Sequence, residues 1–138
     1  MIDAILDTGA LVGWLDDDDQ WHPFVSGHFP QIRSPALTCD AVIAEACFQL
    51  NDTVEGRDRL LETVQAGALK VMPVLREESA AVRALLARYG RRMDYADACL
   101  VRLSEIHRTH TIVTTDAKDF GVYRRFRREP LPLLTPKA

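Results

Sequence analysis

The chain lacks several features that would assign it quickly, and each absence removes a class of function. No run approaches the ~18 uninterrupted apolar residues of a membrane-spanning helix. The opening MIDAILD has neither the basic start nor the apolar core of a secretory signal. Cysteine is sparse: Cys39, Cys47 and Cys99 are odd in number, widely spaced and form no CxxC pair. They read as reduced core thiols, not as a disulfide frame or a zinc site. His22, His28, His107 and His110 show no ligand pattern. There is no repeat, no low-complexity linker and no domain boundary. The expectation is one cytoplasmic domain over residues 1–138, away from the membrane. A strong charge is missing too: 20 acids against 17 bases leave a net charge of -3, so any nucleic-acid role must come from how the charges are distributed.

What is present suffices for a core. With 138 residues and 47% apolar composition, the chain should bury roughly two thirds of the surface that it exposes when unfolded. Short apolar runs, Ile2 to Leu6, Ser34 to Leu37, Leu69 to Val74, Thr111 to Thr115 and Leu131 to Leu134, alternate with helical patterns. Helices are expected from a Thr38 cap to Leu50, over Val54 to Gln65, from Glu77 to Tyr89 with Gly90 as the stop, and over Asp94 to His107. That alternation implies an α/β fold, with helices on both faces of a mostly parallel sheet of about five strands.

The acids are placed more tellingly than they are numbered. In AILDTGALVGWL, residues 4–15, Asp7 stands where a strand meets a helix, and such strand ends are where α/β folds bind ligands. Asp116 ends the fourth strand in IVTTDAKDF, residues 112–120. If those strands are neighbours, the two carboxylates start about 5 Å apart. Asp3 falls roughly 13 Å away, at the other end of the first strand, as a solvated acid. Glu45 is the only charge between Ala41 and Leu50, on a helix apolar nearly all round and therefore expected to be buried. A buried carboxylate needs a cationic partner, either an arginine or a divalent ion. Asp94 and Asp97 share the first turn of their helix, where capping alone would account for them. An Asx-turn would account for Asp116, and solvation for Asp119. Oxygen ligands without His or Cys select Mg²⁺ or Mn²⁺ over zinc.

Asp7-Thr8-Gly9-Ala10-Leu11, the apolar helix around Glu45, Asp94-Tyr95-Ala96-Asp97-Ala98, and Thr114-Thr115-Asp116 with Asp119-Phe120 together resemble the PIN-domain nucleases, and most of all the VapC ribonuclease toxins of toxin–antitoxin pairs. The resemblance runs the length of the chain, including DFGVYR and the terminal LLTP. It implies a three-layer α/β/α sandwich and a Mg²⁺- or Mn²⁺-dependent endoribonuclease that leaves 5′-phosphate and 3′-hydroxyl ends. It implies Asp7, Glu45, Asp97 and Asp116 as the catalytic acidic quartet. Asp94 matches an acid found in part of the family, and joins the quartet as a metal ligand. Thr8 and Thr114 are expected to donate hydrogen bonds to the carboxylates or to a phosphate, with Asp119 beside them. The resemblance also implies a small antitoxin whose tail fills the acidic groove with a basic side chain, and a homodimer.

Basic residues frame these motifs. Arg91, Arg92 and Lys118 lie next to acids, and YRRFRR, residues 123–128, interleaves Arg124 and Arg125 with Tyr123 and Phe126. Cations among aromatics suit an RNA backbone and its exposed bases, while a solvated basic edge strand is the plain alternative. LDDDDQWHPF, residues 15–24, reads as a loop with a helix cap at Asp19, and Trp14 and Trp21 as packing residues. Three other readings remain, the first of them a PIN-fold nuclease that processes RNA without being a toxin. A phosphatase of the HAD type needs a second acid where Gly9 stands, and a silent PIN-fold interaction module would have no use for four acids.

Overall fold

The computed structural model describes residues 1–137. In chain order it contains β1 (Ala4–Leu6), α1 (Thr8–Leu15), α2 (His22–His28), β2 (Ala36–Cys39), α3 (Asp40–Gln49), α4 (Gly56–Gln65), β3 (Leu69–Met72) and α5 (Leu75–Tyr89). These are followed by α6 (Tyr95–Ile106), β4 (Thr111–Val113), α7 (Ala117–Phe120), β5 (Arg124–Arg125), β6 (Glu129–Pro130) and β7 (Leu133–Leu134).

Five strands form one parallel sheet in the order β3-β2-β1-β4-β7. Both faces of β1 and β2 are buried, as expected of a parallel sheet covered by helices. Helix α6 lies across β2, β1 and β4 and packs on α5, while α1 packs with α2, α3 and α4. Ile5, Leu100, Leu103 and Ile112 are wholly buried at this junction. Leu6 pairs with Val113 in the β1–β4 register, so the next residues, Asp7 and Thr114, leave the sheet side by side.

Local chemistry moves several boundaries. Thr38 belongs to β2 and caps no helix; its buried hydroxyl donates to Leu6 O at 2.8 Å and ties β2 to β1. The helix after it starts at Asp40, with Cys39 in the cap position. Asp19 does not cap α2, whose cap residue is Trp21. Its carboxylate accepts from Trp21 N at 3.0 Å instead, closing an Asx-turn. Pro132 shortens the last strand, yet its carbonyl still accepts from Ile112 N at 2.8 Å. Helix α3 departs furthest from expectation. Val42, Ala46 and Leu50 line its buried face, whereas Glu45 is exposed and Phe48 is 80% exposed. Small apolar residues made that helix look buried all round, but only one face meets the core. Trp14 packs as expected, stacked on Phe29 with ring centroids 4.3 Å apart.

Arg125 is corrected outright as an RNA-binding residue. It is 9% exposed and donates to Ser104 O at 3.2 Å, Arg108 O at 2.8 Å and the Glu129 carboxylate at 3.2 Å. Those contacts fasten the β5–β6 ribbon to the end of α6. Arg124 is half-buried and donates to the nearby carbonyls of Gly121 and Tyr123 at 2.8 and 3.0 Å. Arg125→Ala takes the side-chain donor from two carbonyls and leaves Glu129 with Arg108 as its remaining ion-pair partner, and should cost about 3 kcal/mol of stability. Urea unfolding checks this, since an RNA-contact residue would leave the midpoint unchanged.

Candidate metal centre

Helices α1, α6 and α7 each begin with an aspartate in the cap position, and all three face one cleft. Asp7 Oδ1 accepts from Thr8 N at 2.7 Å, Asp94 Oδ1 from Asp97 N at 2.8 Å, and Asp116 Oδ1 from Asp119 N at 3.0 Å. Each bond satisfies a helix-terminal N–H that would otherwise be orphaned. Capping therefore fixes the orientation of these acids while leaving lone pairs on each carboxylate.

The cleft has a volume of about 500 Å³, and its walls carry Asp7, Thr8, Glu45, Asp94, Asp97, Asp116 and Asp119 beside Arg91 and Arg92. The structure thus brings the expected acids together. Thr114 Oγ1 donates to Asp7 Oδ2 at 2.6 Å, a direct result of the β1–β4 register. Thr8 Oγ1 reaches Glu45 Oε2 at 3.4 Å, linking α1 to α3. Gly9 permits the close approach of α1 to the loop after β4, because a Cβ there would run into the Thr115 hydroxyl. Lys118, Arg124 and Arg125 lie outside the cleft lining. Arg92 stands 3.7 Å from Asp119, so that acid is partnered rather than simply solvated.

Sequence reasoning did not place Gln20, Gln49 or Tyr123 at this site. The first two line the cleft, and Gln49 Nε2 sits 3.4 Å from Glu45 Oε1, one turn along α3. Tyr123 lies behind the wall, with its hydroxyl 2.7 Å from Asp97 Oδ2. An i, i+4 search from Glu45 would have found Gln49. Tyr123 was hidden inside an arginine run.

Burial pushes the Asp7 carboxyl above its ordinary range; hydrogen bonds from Thr114 and Thr8 oppose the shift, and Asp116 and Glu45 add to it. Burial likewise raises Asp97 to about 7, against the Tyr123 hydrogen bond and with help from Asp94 and Asp7. Buried carboxyls with too few compensating partners behave this way, and the neighbouring acids add to the shift. A divalent cation would supply that compensation, and the all-oxygen donor set fits a hard ion such as Mg²⁺ or Mn²⁺. Among the described residues, no three acids close round one point. The arrangement is an open cleft rather than a finished cage, which suits an ion that retains several waters.

A carboxyl raised in the folded state stabilises the fold below its unfolded value and loses that contribution as pH rises through the folded one. For Asp97 the window runs from 3.8 to about 7. In metal-free protein, Asp97→Asn should therefore gain about 1–3 kcal/mol at pH 8. The gain should shrink as pH falls through about 7 and vanish below about 4, as read by thermal unfolding across pH.

The structure superposes on VapC20 of Mycobacterium tuberculosis, described as a toxin cleaving the sarcin-ricin loop, with a TM-score of 0.72 and 14% identity over 85% of this chain and 92% of that one. It superposes on a toxin–antitoxin complex from Klebsiella pneumoniae with a TM-score of 0.71 and 15% identity over 98% of both chains. VapBC2 from Rickettsia felis, bound to a DNA fragment from its promoter, gives 0.63 at 15% identity over 99% of this chain and 100% of that one. At such identities the likeness establishes the fold. No curated protein matches in sequence. Residues 4–125, which carry β1, the cleft acids and everything between them, match the family model of the PIN domain, and the chain belongs to the PIN-domain family.

Proposed function

We propose that this chain is a Mg²⁺- or Mn²⁺-dependent endoribonuclease and the toxin of a toxin–antitoxin pair, acting as a single domain in the cytoplasm. The observation that carries the reading is the gathering of Asp7, Glu45, Asp97 and Asp116 from four separate elements onto one cleft beside two arginines. PIN-family membership supports nuclease chemistry, and the printed descriptions of the similar structures support the toxin role.

In this reading Asp7 and Asp97 hold the principal ion, Asp94 assists, Glu45 acts directly or through water, and Asp116 serves a second ion or orients water. A divalent ion bound there supplies charge neutralisation and activation of water for attack on a phosphodiester. The chain's own groups do the rest. Thr114 and Thr8 hold Asp7 and Glu45 in place. Arg91 and Arg92, exposed at the rim, attract the RNA phosphates. The acids also suit a second occupant: a basic side chain from a small antitoxin protein would neutralise them and exclude the ion. A homodimer completes the proposed assembly.

Incubating the purified chain with total RNA, with and without Mg²⁺ or Mn²⁺, and mapping the new ends tests the reading. Cleavage should require the ion, and Asp7→Asn should reduce it by at least ~100-fold, on the order of 3 kcal/mol of transition-state stabilisation. Undiminished cutting by a folded Asp7→Asn protein would overturn the assignment of the site.

A further inference from the structure

Tyr123 follows α7 and is wholly buried. Its ring packs edge-on against Phe120 and Tyr89, with centroids 5.2 and 5.1 Å away. A phenylalanine would fill that space equally well, so the packing does not explain the hydroxyl. A buried phenol is costly unless its oxygen is satisfied. This one lies 2.7 Å from Asp97 Oδ2 and 2.8 Å from the carbonyl of Arg92.

A phenol has one proton to donate, and the two acceptors compete for it. An ionised carboxylate is the stronger acceptor, so the bond goes to Asp97 when that residue is charged. The other side chain that meets the Asp97 carboxyl is that of Asp94. The backbone around Tyr123 is fixed from both sides: Tyr123 N donates to Asp119 O at 3.2 Å, and Arg124 N donates to the Tyr89 hydroxyl at 2.8 Å. The hydroxyl therefore stands where the third acidic element, the fourth acidic element and the arginine wall meet.

We propose that Tyr123 is a positioning residue for the divalent-cation site, its hydroxyl pinning Oδ2 of Asp97 so that Oδ1 is presented to the ion. The inference rests on the reading of Asp97 as a metal ligand. Partners that orient a ligating carboxylate typically govern metal affinity by 10- to 100-fold, and Asp97 is the cleft side chain that the Tyr123 hydroxyl bonds.

The test is Mn²⁺ titration calorimetry on the full chain at pH 8, comparing wild type with Tyr123→Phe. Tyr123→Phe should bind at least ~10-fold more weakly than wild type, with RNA cleavage restored as Mn²⁺ is raised. In an Asp97→Asn background, Tyr123→Phe should cause no further loss, because its effect passes through that carboxylate. A folded Tyr123→Phe protein with wild-type Mn²⁺ affinity would overturn the positioning role and leave the nuclease reading standing. Failure of the wild-type chain to bind Mn²⁺ would overturn both. Should Tyr123→Phe fail to fold, the hydroxyl proton of Tyr123 in the wild-type chain decides the matter: its NMR resonance should move on Mg²⁺ saturation, and a stationary resonance overturns the role.

Discussion

Asp7 leaves β1 beside Thr114 and within the field of Asp116 and Glu45, while Asp97 feels both Asp94 and Asp7. Carboxylates this close repel one another, and burial removes much of the water that would screen them. The surrounding structure has to withstand that repulsion. Three acids are tied to helix N-termini, where unsatisfied N–H groups and the helix dipole favour negative charge. Asp7 gains a hydroxyl donor from Thr114, and Asp97 gains one from Tyr123. Even so, the carboxyls of Asp7 and Asp97 remain above their ordinary range. The fold tolerates the cluster without fully compensating it, and that residue of unbalanced charge is what a cation or a basic side chain would relieve.

Holding the cluster together takes most of the scaffold. The parallel register of β1 and β4 sets the Asp7–Thr114 contact, and the absence of a side chain at Gly9 lets the two strand-end loops close on each other. On the far side, Arg125 binds the ribbon after α7 to the end of α6. Tyr89, Tyr123 and Phe120 then pack between α5, α6 and that arm. A second ion-pair group, Arg102 with Glu78 at 2.8 Å and Glu105 at 3.1 Å, clamps α5 to α6. These contacts lie outside the cleft and hold together the elements around it.

The parts of this arrangement readable in the sequence are those governed by local pattern. Strand and helix alternation placed Asp7 and Asp116 on one sheet edge, and the spacing of Asp94 and Asp97 put both on one helical turn. What escaped was set by tertiary contact. Nothing in YRRFRR separates a buried arginine from an exposed one, because the carbonyls that receive Arg125 come from residues 104 and 108. Tyr123 sat in the same run and read as a stacking platform for bases, while its hydroxyl was committed to Asp97. Helix α3 misled in the other direction: alanine and phenylalanine are compatible with a core, but Ala44 and Phe48 face outward. Composition reports what a residue can bury, and topology decides whether it is buried.

The cleft also carries a polarity that neither the fold nor the net charge conveys. Its floor is acidic and its rim holds Arg91 and Arg92, with Arg92 already leaning on Asp119 at 3.7 Å. An acidic floor alone repels a polyanion, so the two arginines and a cation among the carboxylates would have to act together for a phosphate to settle there. The same floor would attract a basic peptide without any ion. One charge distribution would thus serve two mutually exclusive occupancies, phosphate with metal or a cationic side chain without it. Competition between them would give the proposed inhibition by a small protein partner a physical basis that needs no conformational change.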